Sequence, residues 1–263
     1  MSISLNDLEV IKDKEIFETS SEKYILSQEY EMIFRDPEFK VLGFIGDYMY
    51  TYTDGYVTKY TVNGAFISRI MMEVEHGTFN DSVPFMYLFC DNILYKVTKN
   101  LVLEWSLVLD DYIRHINMDS AGDVFVLFEN SRSIYKYGKD GKVLLYLNRS
   151  EDASSTTRLY HTYISKGRGF LYVIGTKFQN NGCQCFIDHY NIYRGELIER
   201  QYFLTVNNVS VDDEQYEFDD IYVNGDYIYI KGCNFIQKIN LKVQPIWKIM
   251  LGWNDITKTY NSL

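Results

Sequence analysis

Basic charge is what this sequence most plainly lacks. Its 26 lysines and arginines are outnumbered by 36 aspartates and glutamates, giving a net charge of −10 and a pI near 4.9. Nucleic-acid binding neutralises phosphates with a basic footprint, so no nucleic-acid partner is expected. An anionic membrane surface is disfavoured for the same reason. Long apolar runs are missing too, with none near the roughly 18 residues of a spanning helix. The opening MSISLNDLEVIKDKE has no basic start leading into an apolar core. No signal peptide is read there, and synthesis in the cytoplasm is the expectation.

Cysteine is scarce: Cys90, Cys183, Cys185 and Cys233. Cys90 and Cys233 adjoin strand-like phrases and read as small buried hydrophobes. Cys183-Gln-Cys185 is tighter than the two-residue spacing usual in zinc sites, and no second cysteine pair accompanies it. Free thiols are expected, with no metal and no cofactor. Catalytic motifs are absent as well: no Gly-x-Ser-x-Gly, no His-Glu-x-x-His, no Walker loop. His76, His115, His161 and His189 are scattered and read as packed or surface side chains. No enzymatic activity and no catalytic residue are expected.

What the chain has in plenty is aromatic: 24 Tyr and 16 Phe against 3 Pro. Such residues suit pleated, half-buried surfaces, so the composition leans towards strands. The phrase IGDYMYTYTDG (45–55) returns as AGDVFVLFEN (121–130) and VNGDYIYIKG (223–232). Anchored on Gly46, Gly122 and Gly225, with looser copies at Val83 and Gly169, the successive intervals are 37, 39, 47 and 56 residues. About 13 residues past four of the anchors stands a lysine between apolar neighbours: Lys59, Lys96, Lys136 and Lys238. The fourth copy has His189 there, further from its anchor, and KFQNNGCQC (177–185) reads as a turn insert. Each lysine is expected to be solvated or ion-paired, facing an aspartate of a neighbouring turn. The Asp after each glycine is expected to bond turn backbone.

One short strand precedes each anchor, and a turn and an apolar run follow each lysine. Each repeat is therefore four antiparallel strands, and units of about 40 residues tiled in this way signal a β-propeller. Residues 14–34 read as three more strands, and 255–263 as a strand that completes a sixth blade with them. The expected fold is all-β: a single propeller domain over 1–263, six four-stranded blades with one shared between the chain ends, and five blades as the alternative. The chain resembles quinoprotein-like propellers, whose repeats carry a strand pair, a turn and an apolar run ending in Trp: Glu104-Trp105 and Ile246-Trp247 stand where that Trp would be. That resemblance implies the fold only, since no quinone-binding constellation accompanies it.

Three long connections, 148–159, 177–185 and 204–220, surround the fourth repeat. Partner binding is expected there, because rigid folds carry recognition on such loops. The acidic VDDEQYEFDD (211–220) nominates Asp212, Asp213, Glu214, Tyr216 and Phe218 as partner-binding residues. The functional expectation is a non-catalytic interaction or structural module, with protein partners in a larger assembly. The degenerate repeats and the usage of Tyr, Ile, Asn and Lys resemble a phage tail or baseplate component, which implies a virion location. The alternative is a carbohydrate-binding or hydrolytic propeller with paired carboxylates at the ring mouth.

Overall fold

The computed structural model describes residues 40–131, 133–147, 157–165, 169–179, 182–207, 218–224, 227–232, 235–240, 244–250 and 260–262. Among them every regular element is a strand, and the strands form antiparallel meanders in sequence order. The first sheet holds β1 (Lys40–Ile45), β2 (Tyr48–Thr53), β3 (Tyr56–Thr61) and β4 (Phe66–Met71). The second holds β5 (His76–Thr78), β6 (Phe85–Cys90), β7 (Ile93–Thr98) and β8 (Leu103–Val108). The third holds β9 (Ile113–Met118), β10 (Val124–Phe128), β11 (Ile134–Tyr137) and β12 (Val143–Leu147). These sheets form one compact unit that ends at Tyr146.

A second unit begins at Leu147. Its first sheet holds β13 (Thr157–Ser165), β14 (Phe170–Gln179), β15 (Gly182–Asn191) and β16 (Leu197–Asn207). Its other sheet holds β17 (Phe218–Asn224), β18 (Tyr227–Gly232), β19 (Phe235–Asn240), β20 (Pro245–Met250) and β21 (Tyr260–Ser262).

Turn chemistry explains the spacing of the repeats. Gly46, Gly122 and Gly169 lie just before β2, β10 and β14 with φ of +53°, +87° and +68°, a region that side chains with a Cβ avoid. At Gly122 the glycine is needed twice over. A Cβ there would stand 2.8 Å from Phe85 Cζ and 3.0 Å from Val83 Cγ1, so its absence lets the third sheet's turn press against the second sheet.

The apolar run of β6 shows how neighbouring sheets stack. Alternate side chains of a strand point to opposite faces. Met86 and Leu88 join Leu42, Ile45, Tyr50 and Val57 of the first sheet. Phe85, Tyr87 and Phe89 join Ile116, Val124, Val126 and Phe128 of the third. The second sheet is thus buried on both faces, as stacked four-stranded repeats require. Strand β5 lies beside both β1 and β9, which leaves the fourth strands β4, β8 and β12 on the far side of their sheets.

The repeat register holds. Each lysine falls on the third strand of its sheet, opposite an aromatic residue of the second: Lys59 faces Tyr50, Lys96 faces Tyr87, Lys136 faces Phe125 and Lys238 faces Tyr229. In the fourth sheet His189 faces Tyr172.

Two expectations need correction. Residues 177–179 and 182–185 are strand rather than part of a turn insert: Thr176 pairs with Cys185, Lys177 with Gln184 and Phe178 with Cys183, so the ladder of β14 and β15 runs on. Continuing it satisfies backbone groups that a loose loop would leave to water. The C-terminal strand does not begin a separate sheet. β21 pairs with β20, Lys248 opposite Asn261, and so covers the edge of the last sheet. The strands expected within 14–34 lie outside the described residues.

Candidate functional site

The lysine row is the most regular polar feature, and its surroundings show what it does. Lys59, Lys96 and Lys136 are buried rather than solvated. Lys59 Nζ lies 3.9 Å from the Tyr48 ring centre and Lys96 Nζ 4.1 Å from that of Phe85. Such cation–π contacts contribute about 0.5–2 kcal/mol, less at the half-open Tyr48 than in a dry site. The same positions tie one sheet to the next. Tyr50 donates its hydroxyl to Lys99 O at 2.8 Å while Lys59 reaches Asn100 Oδ1 at 3.3 Å. One sheet on, Tyr87 donates to Gly122 O at 3.0 Å, and Lys96 and Trp105 both donate to Lys139 O at 3.0 Å. Burial, then the nearby Lys99, lowers the Lys59 pKa.

Lys136 departs from this pattern. It meets Asp119 at 2.9 Å and Asp123 at 3.0 Å. Burial pushes its ammonium down, but hydrogen bonds to the two carboxylates outweigh that and hold its pKa above the ordinary lysine value. Asp123, the aspartate of the second Gly-Asp phrase, therefore spends its carboxylate on a lysine. Asp119 instead bonds the turn, accepting from Asp123 N at 2.9 Å. In the fourth sheet a cation comes from elsewhere: Arg200 lies 4.1 Å from the Phe186 ring centre and grips the buried Asp188 through two bonds of 2.6 and 2.8 Å. Sequence reasoning missed this pair because nothing marked Asp188 and Arg200 as cross-strand partners. In this row Lys59 and Lys96 tie one sheet to the next, whereas Lys136 and Lys238 are engaged within their own sheets.

Among the described residues, one group of three ligand-type side chains comes together: Glu75, Cys90 and Asp91. Their roles are local. Glu75 accepts from Asp91 N at 3.2 Å, capping the turn between β6 and β7. In the third sheet Asp111 plays the same part, accepting from Ser131 N at 2.6 Å and Asn130 Nδ2 at 2.8 Å. Burial of Cys90, then Glu75, Asp91 and Glu73, pushes its thiol pKa up, which makes it a poor nucleophile at neutral pH. His76 and His115, far apart in sequence, have ring centres 5.6 Å apart. Burial, then Lys40, drops the His76 pKa to about 4, so this imidazole is neutral near pH 7.

Of the residues nominated for partner binding, Asp212, Asp213, Glu214 and Tyr216 lie outside the described residues. Phe218 is 2% exposed, packed edge-on against Tyr160 with ring centres 5.5 Å apart. Its ring belongs to the core between the two sheets of its unit and is not offered to a partner.

The exposed apolar surface lies instead on the fourth strands. Phe66, Ile67 and Met71 of β4 stand open, with Met71 77% exposed. Beside and on β8, Val102, Leu103 and Val108 do the same, with Val108 69% exposed. Val143, Leu144 and Tyr146 of β12 repeat the pattern. Single exposed apolar residues are ordinary, but a matching set on three successive edge strands is a surface suited to docking.

No protein-family model and no curated protein matches the sequence. Solved structures do resemble it in shape. Hydrazine synthase of Kuenenia stuttgartiensis superposes with a TM-score of 0.60 at 12% identity, over 81% of this chain and 65% of that one. The extracellular domain of a putative hybrid two-component system from B. thetaiotaomicron gives 0.56 at 13% identity, over 82% of this chain and 28% of the other. A Bacteroides caccae protein of unknown function gives 0.50 at 10% identity, over 81% and 82%. The fold is β-propeller-like. At these identities the likeness carries the fold alone, and nothing in the three structures supports the phage-tail reading.

Proposed function

We propose that this chain is a non-catalytic interaction module, one propeller domain serving as a subunit of a larger protein assembly. The observation that supports it is the repeated apolar exposure of the fourth strands, β4, β8 and β12. A fully buried side chain of this size contributes about 1.5–3 kcal/mol, so a partner covering a few of them gains substantial affinity. The acidic balance favours a basic partner, and Asp212, Asp213, Glu214 and Tyr216 belong to the proposed contact surface of the second unit. Closure of the sheets into a ring of five or six blades is part of the same proposal.

The test is affinity purification of the tagged protein from its native cells, wild type beside a Met71→Lys/Val108→Lys variant. A stoichiometric protein that is captured by wild type and lost with the variant, at unchanged melting temperature, supports the reading. Equal capture by both, or turnover of a polysaccharide by the purified chain, contradicts it.

A further inference from the structure

The second unit encloses a polar cluster that the lysine row does not use. Cys183 and Cys185 stand two apart on β15 and so share one face of the sheet. They are 1% and 0% exposed, and neither is in a disulfide. Their thiols are hydrogen-bonded to one another. Directly across the ladder from Cys185 is Thr176, wholly buried, whose hydroxyl lies against the Cys185 sulfur yet makes no hydrogen bond of normal geometry. From the facing sheet, Lys248 of β20 comes within electrostatic reach of Cys185. Beside Lys248 in the ladder stands Gln237, also buried, with its Oε1 unpaired. Buried polar atoms without partners are rare in native proteins, and each one asks for an explanation.

We propose that Cys183 and Cys185 bind one thiophilic monovalent ion of the Cu(I) class. Two side chains on one face of a strand have Cβ atoms about 6.6 Å apart, at about 3.3 Å per residue. A disulfide needs about 3.5–4.5 Å between Cβ atoms, which this unbroken ladder does not allow. An ion held between two sulfurs parts them by about 4.6 Å, twice a metal–sulfur bond of about 2.3 Å, which parallel side chains reach without moving the strand. Zinc would need four ligands, and among the described residues no third cysteine, histidine or carboxylate joins the pair. Soft thiolates alone, in low coordination number, select Cu(I).

The charges also balance. Binding releases both thiol protons to solvent, so that two thiols and M⁺ become a bis-thiolate complex of charge −1 and two H⁺. Burial lowers the Lys248 pKa and a thiolate at Cys185 works against that, so the complex of charge −1 holds Lys248 of the opposite sheet in its charged form.

The experiment offers the full-length reduced protein Cu(I) as its bicinchoninate complex, without oxygen, and follows loss of the chelate colour. One equivalent should pass to wild type and to a Cys90→Ser/Cys233→Ser variant, raising the melting temperature of both. Transfer should vanish in Cys183→Ser and in Cys185→Ser, and Lys248→Met should weaken it at least tenfold. Because buried serine can disturb folding, Cys183→Ala and Cys185→Ala are run beside them, with near-UV circular dichroism as the check of native packing. Transfer to natively packed variants lacking either thiol overturns the proposal, as does failure of the wild type to take the ion. Oxidation of the pair by peroxide to a disulfide, read as a loss of two mass units without prior unfolding, also overturns it, because it contradicts the spacing argument.

Discussion

Replacing Lys136 with methionine separates a buried ion cluster from a decorative one. The ammonium sits 2.9 Å from Asp119 and 3.0 Å from Asp123, and the Asp119 side chain is only 5% exposed. Methionine keeps the length and the apolar contact with Phe125, whose ring centre lies 5.4 Å from Nζ. What it removes is the charge that lets two carboxylates stand side by side away from water. Breaking a buried pair by deleting one partner costs about 3–5 kcal/mol, chiefly the penalty of the stranded charge. Asp123 is more open and recovers some hydration, so the lower end of that range, about 3 kcal/mol, is expected. Urea unfolding followed by tryptophan fluorescence measures it as a fall in midpoint at unchanged slope. The exposed Lys142–Asp140 pair, at 3.1 Å, is the control, and Lys142→Met should leave the midpoint where it is. The pH dependence has a fixed sign. Because the folded-state pKa of Lys136 is raised, its contribution is complete below the ordinary lysine value of 10.5 and is lost as pH climbs through the folded value. A Lys136→Met variant as stable as the Lys142→Met control would refute the reasoning.

Three further outcomes follow from the same structure. Gly122→Ala forces an L side chain to φ +87° and into Phe85, and should cost more than the roughly 1–2 kcal/mol of left-handed backbone alone, read by urea unfolding. His76 has a folded-state pKa lowered to about 4 by burial, so the unfolded chain takes up a proton first. Stability should fall as pH drops from about 6.5 to about 4, and His76→Phe should flatten that part of the profile. Deleting 255–263 removes β21 and uncovers the edge of β20, which should lower the melting temperature and raise concentration-dependent light scattering.

The strand order was legible because the repeat carries its own punctuation. Gly46 and Gly122 mark turns that demand positive φ, and the lysine of each copy lands on the third strand. The burial of those lysines was not legible, because it depends on an aromatic residue across the ladder and an acceptor in the next sheet, such as Tyr50 and Asn100 Oδ1 for Lys59. Asn-Asn-Gly within 177–185 looks like loop chemistry, yet the flanking Phe178, Cys183 and Cys185 alternate inwards and extend a hairpin. Phe218 was misread for the opposite reason: its acidic neighbours suggested solvent, while the strand turns its ring towards Tyr160. The sequence shows the fourth-strand runs AFISRI and LVLEWSLVL only as apolar, and it is the end position of β4 and β8 in their sheets that leaves Met71 and Val108 uncovered.

Hydrogen exchange on the protein in its native assembly, compared with the isolated chain, bears most directly on the docking role assigned to the fourth strands. The account predicts added protection at backbone amides of β4, β8 and β12, whose outer edges pair with no strand among the described residues. Protection that changes elsewhere and leaves these three strands as they are in the isolated chain would contradict it.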